Sequence, residues 1–241
     1  MSQALVTQIY QACLQISPYL KGEQFVAPAD SIASSQSNSN IIKLLHSNIA
    51  QQSPEAGKAY WLTRSWDLLI WQPLYIAMVS IYQLRTLPDL TSLIQRHQHG
   101  LVAGFYLTNL DCLEGDDEAL IAAAGKQLTA LFEHYRRELD LWVRCRPRFV
   151  EHLIADAILA KLELLQQAHP ESSNAEILRH AKLWLYAFNL PTKHLQSLTL
   201  SSVDNKLILQ RTSCCAVYKT TNGVKCDNCP RLTQKSKTCI N

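Results

Sequence analysis

Apolar residues recur every three or four positions over most of this chain, the spacing of one buried helix face. Residues 4–20 repeat through Leu5, Ile9, Ala12, Cys13 and Ile16, and residues 41–51 through Leu44, Leu45 and Ile49. Residues 54–87 are the most apolar part of the body. Arg64, Asp67, Trp71, Tyr75 and Met78 fall there at helical spacing, with Pro73 marking a kink or a helix start. The Gly-Asp-Asp-Glu run at 115–118 opens a further helix, with acids at the positive end of its dipole. Its buried stripe runs through Leu120, Ala124, Leu128, Leu131, Tyr135, Leu139 and Trp142. Pro147 starts the next helix, to about Ala168. Ser173 and Glu176 form a capping box for another, which stops before Pro191.

A period of two replaces the helical one in a few places. Residues 100–110 take β character through Val102, Phe105 and Leu107, and residues 197–201 and 206–212 read as a hairpin across Val203 to Asn205. Residues 28–40, rich in serine and asparagine, read as a surface loop, and His97 and His99 as part of an exposed loop. The pattern predicts an α+β fold, predominantly α-helical. It consists of a helical body over 1–196 with a small β component, and a C-terminal hairpin-and-loop segment over 197–241.

At 241 residues the chain can bury a substantial core. Its formal charge of +3 is unevenly placed. From Arg211 onward six basic residues face one acid, Asp227, while the rest of the chain carries seventeen basic and nineteen acidic groups. A nucleic-acid-binding chain would show a larger basic face with interleaved aromatics, so that class is set aside. The first eight residues lack the basic and apolar regions of a signal peptide, and the apolar stretch 68–82 is shorter than the ~20 residues a membrane span needs. A cytoplasmic protein without an integral span is expected, with peripheral membrane association left open.

Four of the eight cysteines gather near the end, as the adjacent pair Cys214 and Cys215 and then Cys226 and Cys229; Cys13, Cys112, Cys145 and Cys239 are scattered. Four thiolates within one short stretch point to zinc or iron–sulfur ligation. A zinc site is usually built from two Cys-x-x-Cys knuckles, and only Cys226 to Cys229 makes one. Neighbours on an extended chain face opposite ways, so Cys214 and Cys215 converge on a metal only if the backbone bends there. A [2Fe–2S] cluster gives such a pair more ways to be used. Zinc, a disulfide and free thiols remain the alternatives. Residues 216–219 and 224–226 flank a Thr-Thr-Asn-Gly turn, so a hairpin is expected there, with Gly223 supplying a positive φ.

Cys-Cys, ten residues, Cys, two residues, Cys-Pro resembles the C-terminal signature of the FhuF-type siderophore-iron reductases. The aromatic stretch 61–82 also looks like that family's central segment. The resemblance implies a [2Fe–2S] cluster ligated by Cys214, Cys215, Cys226 and Cys229. It also implies a ferric siderophore as substrate, an external electron donor protein such as a ferredoxin or a reductase, and iron(II) release in the cytoplasm for iron assimilation. A [2Fe–2S] electron carrier or iron sensor without chelate reductase activity is the alternative, and a zinc-stapled binding module a third. The sequence has no dinucleotide fingerprint and no P-loop, so electrons would come from outside.

Two basic groups add candidates. Arg144, Arg146 and Arg148 would hold an anionic chelate or an acidic partner, or else serve as charge at a helix C-terminus. Lys219, Lys225 and Arg231 would steer the donor or the chelate, or else form a solvated tail. Arg64 and Asp67 beside Trp71 read as a charged pair backing an aromatic wall for the chelate, with ordinary core packing as the simpler account.

Overall fold

The computed structural model describes residues 2–23, 31–34 and 36–232. Among these residues six α-helices carry most of the structure: α1 Ser2–Ile16, α2 Ser39–Gln52, α3 Gly57–Leu84, α4 Asp117–Asp140, α5 Pro147–Ala168 and α6 Asn174–Ala187. Their starts follow local chemistry. Asp116 caps α4 by accepting from the Ala119 N–H, Pro147 stands at the first position of α5, and the Ser173 side chain accepts from the Glu176 N–H.

Helices α1, α2, α4 and α5 pack against α3. Trp66, Leu69, Ile70, Gln72, Leu74, Ile76, Ala77 and Ile81 are all buried, and of its central turns only the stripe of Arg64, Asp67, Trp71 and Tyr75 is half-buried. Pro73 neither starts nor ends this helix. A proline lacks the N–H that would serve the carbonyl four residues back, and that carbonyl belongs to Leu69. The fully buried Gln95 supplies the missing donor: its Nε2 donates to the Leu69 carbonyl at 3.0 Å and to Tyr135 Oη at 2.9 Å. One amide thus joins α3, α4 and the sheet.

The sheets are small and antiparallel. A three-stranded sheet has the order β1 (Ser31–Ala33), β3 (Leu93–Gln98), β4 (Leu101–Leu107); β2 (Thr86–Pro88) pairs with β5 (Cys112–Glu114), and β6 (Leu198–Leu200) with β7 (Leu207–Leu209). The β3–β4 turn uses positive φ at both His99 and Gly100, as a tight two-residue hairpin requires. The fold is therefore α+β and predominantly helical. Leu198, Leu207 and Leu209 join the same hydrophobic core as the helices, so the C-terminal segment is seated on the body.

Two expectations are corrected. His97 lies on β3, not on an exposed loop; it is buried and its Nε2 accepts from the Gly100 N–H at 3.3 Å. Leu93, Gln95 and His97 point inward, and the polar character of the last two hides the alternation in the sequence. The expected surface loop at 28–40 contains the buried strand β1, where Asn38 exchanges two hydrogen bonds with the Ala33 backbone at 2.8 and 2.9 Å; residues 28–30 and 35 lie outside the described residues. Among the described residues no helix is long and apolar enough to cross a membrane.

Candidate functional site

The chain leaves β7 and is caught at once by α5. Asp156, fully buried in the middle of that helix, presents both carboxylate oxygens to residues 212 and 213. Oδ1 accepts from the Thr212 N–H at 3.0 Å and its hydroxyl at 3.1 Å; Oδ2 accepts from the Ser213 N–H at 2.7 Å and from the Ser213 hydroxyl. Arg211 Nε stands 3.7 Å from Oδ2 and offsets the buried charge. A carboxylate with four donors tolerates burial that an unpaired one would not. The turn before Cys214 is thereby fixed to the body.

A second tie joins the two halves of the cysteine pattern. The Arg211 N–H donates to the Asn228 carbonyl at 3.1 Å, and Gln210 Nε2 reaches the carbonyls of Asn228 and Cys229 at 3.2 and 3.1 Å. Cys226 to Cys229 closes as a turn through the Cys229 N–H and the Cys226 carbonyl, 3.0 Å. Between the halves the chain bends at Ala216, whose φ of 57° is the left-handed conformation that costs a residue with a Cβ about 1–2 kcal/mol. That residue follows Cys215 directly, so the chain turns after the cysteine pair and heads back towards Cys226.

The bend differs from the expected hairpin. No strand forms at 216–219 or 224–226; a 3-10 turn at Val217–Lys219 leads into looser turns. Gly223 is required by crowding and not by a positive φ. A Cβ there would come within 1.9 Å of the Val217 carbonyl oxygen.

The result places Cys215 Sγ 3.4 Å from Cys226 Sγ. That separation is far longer than the ~2.05 Å of a disulfide, and close to the ~3.8 Å between two thiolates at ~2.3 Å from one tetrahedral ion. Burial and the neighbouring Cys215 sulfur push the Cys226 thiol above its ordinary value, while the Arg211 charge pulls it down. A cation between the sulfurs would reverse that balance by binding both as thiolates. Cys214, Cys215 and Cys226 are partly exposed and Cys229 is buried, so the group sits at the edge of the molecule. Among the described residues no three His, Cys, Asp or Glu side chains surround a common point. The pair fits two ligands of one metal, while Cys214 and Cys229 are not brought to the same point. Cys239 lies outside the described residues.

Other groups surround the segment. Glu55, exposed in the turn before α3, accepts from the Thr221 N–H at 2.8 Å and its hydroxyl at 3.0 Å, pinning the loop tip; its own backbone N–H and then these two donors hold its carboxyl below the usual range. Asp67 on α3 is pushed up to about 6 by burial, although the charges of Arg211, Arg64 and Lys161 pull it down. Lys161 on α5 is lowered to about 8 by burial, and its Nζ lies 4.2 Å over the Tyr75 ring. Arg64, Asp67 and Trp71 line a cavity of about 400 Å³. Arg64 and Asp67 interact through their fields without a direct ion pair, and Trp71 Nε1 is tied to the Val102 carbonyl at 3.0 Å.

Lys219, Lys225 and Arg231 are exposed around the cysteines; Lys225 Nζ reaches the Arg231 carbonyl at 3.4 Å, and the Arg231 guanidinium lies 5.6 Å over the Tyr218 ring. Arg144, Arg146 and Arg148 are all exposed at the α4–α5 junction. Arg148 precedes Asp156 by about 12 Å along the helix. Arg146 and Arg148 flank the start of α5, so charge at a helix C-terminus does not account for them. Asp156, Gln210 and Glu55 escaped the sequence reading. The available signal for Asp156 was an acid amid Leu153, Ile154, Ala155, Ile158 and Leu159 on a buried helix. No family model matches this chain, and no solved structure matches it.

Proposed function

We propose that the protein is a ferric-siderophore reductase whose Cys214, Cys215, Cys226 and Cys229 hold a [2Fe–2S] cluster. The observation that supports this most directly is the 3.4 Å approach of the Cys215 and Cys226 sulfurs, one from each half of the pattern. When bound, the cluster supplies a one-electron carrier. Asp156 and Gln210 hold the two halves of the pattern in register, which brings one cysteine of each half together. Partial exposure of three cysteines lets a donor protein and a chelate come close, and Lys219, Lys225 and Arg231 attract anionic partners. Siderophores grip iron(III) through hard, negative oxygens, and the same oxygens hold iron(II) weakly. One electron gained by the substrate therefore makes its iron labile. The electron comes from an external ferredoxin or reductase, and the iron(II) is released in the cytoplasm.

Anaerobically purified protein should contain iron and sulfide in equal amounts and absorb visible light. On reduction and mixing with a ferric siderophore it should release iron(II) to a chelator specific for that state. Zinc in place of iron would overturn the cluster. An intact cluster with no iron(II) release would leave an electron carrier or sensor.

A further inference from the structure

A second cavity, of about 380 Å³, opens beside the cysteine segment and is lined by His152 of α5, Lys193 and His194 of the turn before β6, and Gln210, Arg211 and Thr212. No acid lines it. Two carboxylates lie behind the lining: Asp156, behind Arg211, whose oxygens already receive four donors, and Glu151, whose charge reaches His194. Arg211 Nε, directed at Asp156 Oδ2 at 3.7 Å, and His152 Nδ1 are buried and make no hydrogen bond. A cavity lined by arginine, lysine and two histidines and by no carboxylate favours an anionic occupant. The rings of His152 and His194 meet edge to face at 5.1 Å, and Lys193 is exposed at the rim. The two cations of the lining, Arg211 and Lys193, come from separate parts of the chain, which suits an anion with separated charges better than one compact ion.

We propose that this cavity binds the carboxylate arms of an anionic polycarboxylate iron(III) chelate of the citrate type, through Arg211, His152 and Lys193. The proposal rests on the reductase reading and names the substrate class that the site favours. Arg211 connects the two: its side chain lines the cavity while its backbone N–H is tied to the knuckle at Asn228. A chelate held there lies against the residues that lead into Cys214.

Calorimetry with redox-inert gallium(III) citrate at constant ionic strength measures binding alone, and needs no electron transfer. Saturable binding should weaken about tenfold or more in Arg211→Gln and two- to fivefold in Lys193→Gln, whose exposed site leaves folding intact. A neutral gallium trishydroxamate should bind equally to all three proteins. Equal citrate affinity across the three, no saturable binding, or tighter binding of inorganic phosphate would overturn the inference. If gallium citrate binds as expected but the protein holds no iron and sulfide, the reductase reading fails and the cavity stands. If ferric trishydroxamates are reduced while citrate does not bind, the cavity assignment fails and the reading stands.

Discussion

Around α3 a buried polar side chain such as Gln95 is an exception among leucine, isoleucine, tryptophan and phenylalanine. In residues 210–232 the buried side chains are those of Ala216 and Cys229, and hydrogen bonds to Asp156, Gln210 and Glu55 stand where apolar packing would be. Burial of apolar area contributes about 25 cal/mol per Å², so the body is stabilised over its whole volume. The cysteine segment offers little such area. Its shape depends on a few charge-assisted bonds and, in the proposed holoprotein, on the metal, whose binding energy becomes folding energy for such a segment. A partly exposed cysteine segment and a deep core therefore sit in one molecule, held by different forces.

The strongest way to break this comparison is at Asp156. Asp156→Ala leaves Arg211 and the donors of Thr212 and Ser213 without their acceptor. A loss on the order of 3–5 kcal/mol in unfolding free energy is expected, together with loss of iron from the segment. Asp156→Asn can still accept on one side, so it should retain part of both. Denaturant unfolding and metal content measure the two effects. An alanine variant with unchanged stability and full iron would show that the segment is held by the metal and not by α5.

Gln95→Leu tests the body in the same terms. It removes the donor to the Leu69 carbonyl and to Tyr135 Oη while adding apolar volume. Each buried group left unsatisfied costs about 1–3 kcal/mol, which the leucine offsets in part. The net expectation is a loss of about 2 kcal/mol, with the visible spectrum unchanged. A shifted spectrum would mean that the two regions are coupled through α3 more tightly than the contacts suggest.

The unequal legibility of the two regions has the same physical origin. Helix periods and caps are written in adjacent residues, so α5 begins at Pro147 and α6 is capped by Ser173 as the sequence suggests. The β6–β7 hairpin could be read for that reason too. The four cysteines stand out in the sequence because metal ligation restricts residue type, and the structure brings two of them, Cys215 and Cys226, into contact. Their supports were not: Asp156 meets Thr212 and Ser213 across 56 and 57 positions, and Glu55 meets Thr221 across 166. Pro73 suggested a break because its partner, Gln95, lies on a strand that the polar residues of β3 conceal.

The smallest expected effect sits where the two regions meet. Asp67 belongs to the body helix α3, yet Arg211 of the cysteine segment is the strongest of the charges that stabilise its ionised form. Burial outweighs those charges and raises its carboxyl from 3.8 to about 6. A group that binds its proton more tightly folded than unfolded makes the native state lose stability as pH rises between the two values. The loss begins near pH 4 and is complete above about pH 6. Asp67→Asn removes the ionisation, so the variant should be more stable than the parent above pH 6, by on the order of 1–2 kcal/mol once partial exposure is allowed for. The advantage should vanish below pH 4. Ionised Asp67 also supports the charge of Lys161, so the variant should lower the Lys161 pKa further below about 8, trimming the gain at neutral pH. Thermal unfolding from pH 4 to pH 8 measures both effects. A variant less stable than the parent at pH 7 would show that the charges of Arg211, Arg64 and Lys161 outweigh burial, and that Asp67 helps hold the cysteine segment to the body.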